Sequence, residues 1–124
     1  MARRESRDAS NVATLQAAYF VLTGLWPFVS RRLFESVTGP KADWWLVETV
    51  GSLVTVIGLG LGLSGWRSNV PAELAVVGAG SCAALAAIDV VHVAERRISP
   101  VYLLDAAVEV CILAGWLRSY RGRR

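Results

Sequence analysis

PVYLLDAAVEVCILAGWL, residues 100–117, is an apolar stretch nearly long enough to cross a lipid bilayer, and it contains two carboxylates. Asp105 and Glu109 are four residues apart, so on a helix they project from the same face, about one turn from each other. A charged side chain is costly inside the hydrocarbon of a bilayer. The stretch therefore predicts a helix whose acidic face points into a protein interior or a water-filled cavity and meets partners from the rest of the chain.

The composition of the 124-residue chain favours a small membrane protein. Hydrophobic residues make up 54% of the chain and charged residues 19%, compared with about 45–50% and about 25% in ordinary globular domains. The charges lie mostly outside four long apolar segments, and a bilayer span needs about 20 predominantly apolar residues. A soluble helical bundle, the alternative, needs far more charge on its helix faces than these segments offer.

The fold class predicted from these segments is all-α, an antiparallel four-helix transmembrane bundle with a short interfacial amphipathic segment between spans 1 and 2. In that segment Leu33, Phe34 and Val37 recur at helical spacing before a break at Gly39 and Pro40. The whole chain, 1–124, is expected to be one integral membrane domain. Its polar N-terminal arm, four spans and basic C-terminal tail are 1–10, 11–29, 43–65, 71–93, 100–117 and 118–124.

Basic residues predict the orientation of the chain. The side of the membrane that holds both ends and the link between spans 2 and 3 carries more Lys and Arg than the opposite side. Such an excess marks the cytoplasmic side. We therefore expect a multi-pass protein of the cell inner membrane with both termini in the cytoplasm.

Four acidic residues are predicted to lie in one layer in the outer half of the membrane. Counting helical rise from the outer ends of the spans places Glu48 and Asp105 roughly 7 Å deep, Asp89 roughly 6 Å and Glu109 roughly 13 Å. His92 follows Asp89 by three positions and can share its helix face. The predicted ligand or proton pocket therefore consists of these four acids and His92. Span 1, with Gln16 as its only strongly polar side chain, is expected to be a wall and not a source of chemistry.

This acidic layer is compatible with three functions. In the leading hypothesis the protein is not an enzyme, and the pocket binds or moves a cation, an amine, a proton or a lipid headgroup. In the second, the chain is a structural or accessory membrane subunit whose acids pair with basic loop residues. These possible counter-ions are Arg31, Arg32, Lys41, Arg96 and Arg97. In the third, the chain is a small lipid-modifying enzyme that uses Asp105 or Glu109 with His92 as acid and base.

No cofactor and no metal site are predicted, because no group of ligand-type residues shows the spacing of a metal motif. Cys82 and Cys111 fall in different spans, and a disulfide between them requires that the two helices touch at that depth. The expected partners are the lipid bilayer, a second copy of the chain and another membrane protein, but no nucleic acid. Gly58 and Gly62 allow close helix contact, and their face is one candidate homodimer contact.

Three segments carry a resemblance to a group of proteins. They are FESVTGPKADWWLVETVG at 34–51, IDVVHV at 88–93 and ISPVYLLDAAVE at 98–109. In these segments the chain resembles an uncharacterised group of small bacterial four-span integral membrane proteins. The resemblance implies a membrane fold and draws attention to the four acids, but it implies no activity.

Overall fold

The computed structural model describes the backbone of residues 2–121 and the side chains of residues 7–120, and over this range the protein is all-α. Its helices in chain order are α1 Ala2–Val29, α2 Arg31–Thr38, α3 Trp44–Trp66, α4 Ala72–Ala94 and α5 Tyr102–Arg121. The all-α class and the short helix between the first two long helices are therefore confirmed. We call the end of the molecule that holds α2 and the link 95–101 the outer end, and the opposite end the inner end.

The helix bounds differ from the predicted segments at both ends of the chain. α1 begins at Ala2, so residues 2–10 of the predicted polar arm continue the helix of span 1. α5 runs to Arg121 and thus takes in the first part of the predicted basic tail. Met1 and residues 122–124 lie outside the described residues.

Three helical segments among the described residues are long and apolar enough to cross a membrane. They are Arg7–Val29, Trp44–Trp66 and Ala72–Ala94. α5 carries more charged residues than these three segments. One of its acids is buried, however, and large apolar side chains on the same helix are exposed. Glu109 is 1% exposed, whereas Leu104 is 69% and Leu117 57% exposed. The candidate spans imply contact with a lipid bilayer, and α5 has the apolar outer surface that a fourth span needs.

Antiparallel packing of α1 against α3 forms one side of the molecule. Gly51, Gly58 and Gly65 recur every seven residues on α3, which keeps them on one helix face. A Cβ at Gly51 would lie 2.7 Å from the carbonyl oxygen of Gly24, and one at Gly58 would lie 3.0 Å from Cβ of Phe20. The two backbones therefore approach so closely that only glycine fits at these positions.

Gly58 and Gly62 lie in this contact within a single chain. A Cβ at Gly62 would lie 3.3 Å from Cβ of Ala17 on α1, and Gly58 is buried. α1 of the same chain packs against Gly58, and the homodimer contact predicted for this face stays a prediction.

A fully buried glutamine links three helices toward the inner end. Gln16 Nε2 on α1 donates to the carbonyl oxygen of Gly78 on α4 at 2.9 Å, and Trp116 Nε1 on α5 donates to Gln16 Oε1 at 2.7 Å. Both side chains are 0% exposed. Trp116, which the sequence places at the end of a span, is therefore an interior residue with its indole N–H paired.

The long helices follow one another around the molecule in the order α3, α1, α5, α4. α1 packs against both α3 and α5, and α5 packs against α4, whereas α3 and α4 touch much less. The short link 67–71 holds α3 and α4 together at the inner end, where Leu74 approaches Gly60. Toward the outer end the two helices therefore lie apart.

Candidate functional site

A cavity of about 760 Å³ occupies the outer half of the molecule between α3 and α4. α1 and α5 supply its back wall, and Phe34 and Val37 of α2 contribute at the outer end. Most of the lining is apolar. The polar side chains that line it are Tyr19, Thr23, Thr38, Asp89, His92, Tyr102, Asp105 and Glu109.

The cavity is open between α3 and α4. Val50 on α3 and Ile88 on α4 line it and are 51% and 54% exposed. If the two helices span a membrane, this opening faces the hydrocarbon of the bilayer. A ligand with an apolar body can therefore reach the acids without crossing a polar surface.

Asp89 and Asp105 bring two carboxyl groups together where α4 packs against α5. The two side chains are close enough to interact, and Glu109 lies near enough to both to interact electrostatically. Two ionised carboxylates in contact repel each other. A cation placed near the two groups would relieve that repulsion.

Tyr19 on α1 is the group that sequence reasoning missed. Its hydroxyl donates a hydrogen bond to Asp105 Oδ1 and so connects α1 to α5 inside the cavity. Span 1 thus contributes a polar contact to the site in addition to forming a wall. The available signal is that a phenol hydroxyl in the middle of an apolar span needs a partner when it is buried.

Glu109 is the most deeply buried acid in the cavity. It is 1% exposed, and within the described residues neither of its carboxylate oxygens has a hydrogen-bond partner. The carboxyl of Asp105 and the thiol of Cys82 are close enough to interact with it. A buried carboxyl without a donor is unusual and points to a proton, a water molecule, an ion or a ligand as its partner.

Asp89 is also buried with an unpaired carboxylate oxygen, but only one of its two oxygens is affected. It is 6% exposed, and its Oδ2 has no hydrogen-bond partner among the side chains and backbone groups of the described range. Together with Glu109 it leaves three buried carboxylate oxygens unpaired. These oxygens are available as hydrogen-bond acceptors.

Three of the five basic residues predicted as counter-ions contact groups outside the acids of the cavity. Arg31 Nε lies 2.8 Å from Glu35 Oε1, and its guanidinium lies 4.5 Å from the ring centroid of Trp44. Arg97 Nε lies 3.3 Å from Glu95 Oε2, while Arg32 and Arg96 are exposed. Over residues 7–120 no ion pair joins a basic side chain to the cavity acids, and no Lys or Arg lines the cavity.

Lys41 fastens α2 to the outer end of α5. Its backbone N–H donates to Glu35 Oε2 at 2.9 Å, and its Nζ donates to the carbonyl oxygen of Thr38 at 2.9 Å. The same Nζ lies 5.1 Å from the ring centroid of Tyr102. The Lys41 N–H, followed by the Arg31 guanidinium, holds the pKa of Glu35 below its ordinary value.

The predicted pocket residues do not all meet. Asp89, His92, Asp105 and Glu109 line the same cavity, whereas Glu48, a half-buried residue of α3, is not among the lining residues. His92 Nδ1 lies 2.8 Å from the carbonyl oxygen of Ile88 in its own helix. Among the described side chains, no hydrogen bond or ion pair joins His92 to a carboxyl.

The cysteines occupy different environments. Cys82 is buried beside Glu109, Cys111 is exposed, and both are free thiols. Within the described part of the chain, no three His, Cys, Asp or Glu side chains are arranged to hold a metal ion.

Comparison of the chain with protein-family models, with curated proteins and with solved structures gave no match. The protein is thus a small all-helical protein with three long apolar helices, for which no family is identified. The resemblance carried by 34–51, 88–93 and 98–109 stays a prediction.

Proposed function

We propose that this protein is a four-span inner-membrane protein with both termini in the cytoplasm, and that it binds a cation in the cavity between α3 and α4. In this arrangement α1, α3, α4 and α5 cross the membrane and α2 lies in the outer interface. The amphipathic sequence of α2 supports that position, since Leu33 is 55% exposed and Arg31 and Arg32 are also exposed.

The case for α5 as the fourth span rests on where its polar groups lie. Asp105 lines the cavity and is bonded by Tyr19, and Glu109 is almost completely buried. Ionisable side chains within spans face the protein interior or a cavity in this way. Several apolar residues of α5, such as Leu104 and Val110, are exposed as they would be toward lipid.

Glu109 carries the proposal of cation binding. Its two oxygens are buried without a hydrogen-bond partner among the described residues, and the residue lines a cavity of about 760 Å³ together with Asp89 and Asp105. No basic side chain neutralises this group of acids within residues 7–120. An acidic cavity of this kind attracts a positive ligand and rejects an anionic one.

The other two functions lack a comparable observation. A structural network requires ion pairs between the acids and the loop bases, and the bases that form ion pairs do so with Glu35 and Glu95. An acid–base catalyst requires His92 within reach of a carboxyl, and its located contact is to its own helix. Cation binding is therefore the function that the geometry supports best.

The test is cation binding by the full chain reconstituted in lipid nanodiscs. A panel of sodium, guanidinium and 2-phenylethylammonium is titrated while thermal unfolding is recorded. We expect at least one cation to raise the Tm of the parent and of Glu73→Gln, a control that neutralises an exposed acid at the inner end of α4. Glu109→Gln and Asp105→Asn are expected to lose that shift. A parent Tm that no cation changes would contradict the proposed function.

A further inference from the structure

The cavity holds more information about its ligand than the sign of the charge. Its buried acids, Asp89 and Glu109, have acceptor oxygens without donors. Most of the remaining lining is apolar. These two properties together restrict the chemistry of the cation.

The buried acids of the cavity present unpaired acceptors. Glu109 Oε1 and Oε2 and Asp89 Oδ2 are buried without a hydrogen-bond partner in the part of the chain that the structure describes. The Tyr19 hydroxyl, a donor in this cavity, is already bonded to Asp105. A ligand that pairs with these three oxygens must supply hydrogen-bond donors.

The rest of the cavity is hydrophobic. Val47, Val50 and Val54 line it from α3, and Leu85 and Ile88 line it from α4. A second charge on the ligand would have to lie against these aliphatic side chains at a high desolvation cost. A ligand with one charge and an apolar body therefore suits this cavity best.

Aromatic rings line the outer part of the same space. Trp26 and Phe34 meet edge to face with their centroids 5.2 Å apart, and both line the cavity. Such rings provide a surface for a flat apolar group at a distance from the acids. The geometry suits a molecule with a cationic head at one end and an aromatic or aliphatic body at the other.

We propose that the ligand of this cavity is a protonated primary amine with a single charge and an apolar body, and that the site selects it over a quaternary ammonium ion of the same charge. This inference rests on the proposed function, since it specifies the cation bound there. An –NH3+ group carries N–H donors that the unpaired oxygens of Glu109 and Asp89 can accept. A quaternary ammonium supplies the charge but leaves those oxygens without donors.

The size of the expected preference follows from the cost of leaving buried acceptors unpaired. A site that hydrogen-bonds its ligand rejects an analogue that lacks the donors much more strongly than one that differs only in apolar bulk. We therefore expect the quaternary ion to bind at least about tenfold more weakly than the primary amine.

The experiment compares 2-phenylethylammonium with its N,N,N-trimethyl derivative, which has the same body and the same charge. Both are titrated by calorimetry into the full chain in nanodiscs, with empty nanodiscs as the blank. We expect the parent and Glu73→Gln to prefer the primary amine, and Glu109→Gln and Asp89→Asn to lose most of that preference. Circular dichroism shows whether each variant is folded.

The outcomes separate this inference from the proposed function. Equal affinity of the parent for the two ions overturns the selection for N–H donors and leaves cation binding intact. Binding of sodium or guanidinium without binding of either phenylethyl compound also overturns the inference alone. No response to any cation overturns both. Since the ratio is measured on the parent chain, the result does not depend on whether a carboxyl variant folds.

Discussion

Trp116 on α5 and Gln16 on α1 are joined by a hydrogen bond of 2.7 Å, and the same glutamine donates to Gly78 on α4. On α1, Gln16 precedes Tyr19 by three residues, and on α5, Trp116 follows Glu109 by seven. On each helix, the junction residue therefore lies on the same face as a residue of the cavity. The junction fixes three helices on the inner side of the cavity. It therefore ties α4 to α1 and α5 on the inner side of the cavity.

Gln16→Leu removes both hydrogen bonds of this junction. The Trp116 N–H is then buried without a partner, and we expect the free energy of unfolding to fall by about 1–3 kcal/mol. The measurement is unfolding in mixed micelles. Leu15→Ala, at a 62% exposed position of the same helix, is the control and should have a smaller effect.

A double-mutant cycle with Trp116→Phe checks this explanation. Once Gln16 is replaced, Trp116→Phe should cost less than it does in the parent, because the indole N–H no longer has a bond to lose. Strictly additive effects would contradict the proposed coupling between the two side chains.

Gly51 and Gly80 form a matched pair for testing the α1–α3 contact. An alanine at Gly51 would place its Cβ 2.7 Å from a backbone oxygen of α1, whereas a Cβ at Gly80 meets nothing within 4 Å. We expect Gly51→Ala to destabilise the protein by about 1–3 kcal/mol through overpacking. Gly80→Ala should be neutral, or stabilising by up to about 1 kcal/mol through its higher helix propensity. Equal changes in Tm would show that the contact is looser than described.

Tyr19→Phe tests the bond between α1 and Asp105. Loss of one hydrogen bond between helices in a membrane costs about 0.6–1.7 kcal/mol, so we expect a modest decrease in Tm. Tyr102→Phe is the control, because the hydroxyl of Tyr102 makes no hydrogen bond within the described residues and its ring still faces Lys41. A decrease of the same size in both variants would indicate a general effect of removing a phenol hydroxyl.

The fold was predictable where hydropathy and charge vary strongly along the sequence. Long apolar segments, and the charges that separate them, indicated the helices to within a few residues, except at Ala2 and Arg121, where polar sequence continues the helix. Helix propensity permits such an extension, and hydropathy does not detect it. The close approach at Gly51 and Gly65 was not predicted, because the spacing of small residues does not identify the partner helix.

For the candidate site, the sequence predicted the depth of the acidic residues along their helices but not the direction in which their side chains point. Counting residues placed Asp89, Asp105 and Glu109 in one layer, and the structure brings these three to one cavity. The same counting included Glu48, whose depth is similar but which does not line that cavity. Depth follows from the rise per residue, whereas the direction of a side chain depends on how each helix is rotated against its neighbours. Tyr19 was missed for the same reason.

Glu35 gives the outer end a pH dependence. The Lys41 N–H and Arg31 stabilise its ionised form, so its pKa in the folded protein lies below the ordinary 4.5. The stabilisation is therefore present above pH 4.5 and is lost as the pH falls through the lower folded value. Hydrogen exchange of 31–41 in the parent should be slower than in Glu35→Gln at pH 7, and the difference should vanish in acid. A difference that persists in acid would assign the protection to other contacts.

The orientation of α5 decides whether the cavity lies within a four-span protein. Cysteines placed at Ser36, at Asn69 and after Arg124, in a chain with Cys82→Ala and Cys111→Ala, are labelled with a membrane-impermeant maleimide. We expect Ser36→Cys to react in intact cells, and the other two to react only after the membrane is permeabilised. Asn69 lies in the link between α3 and α4 and is exposed, so its protection can be attributed to the membrane. If the cysteine after Arg124 reacts in intact cells while Asn69→Cys stays protected, α5 does not cross the bilayer. The acids would then lie against three spans, and the case for a cavity closed by a fourth span would fail.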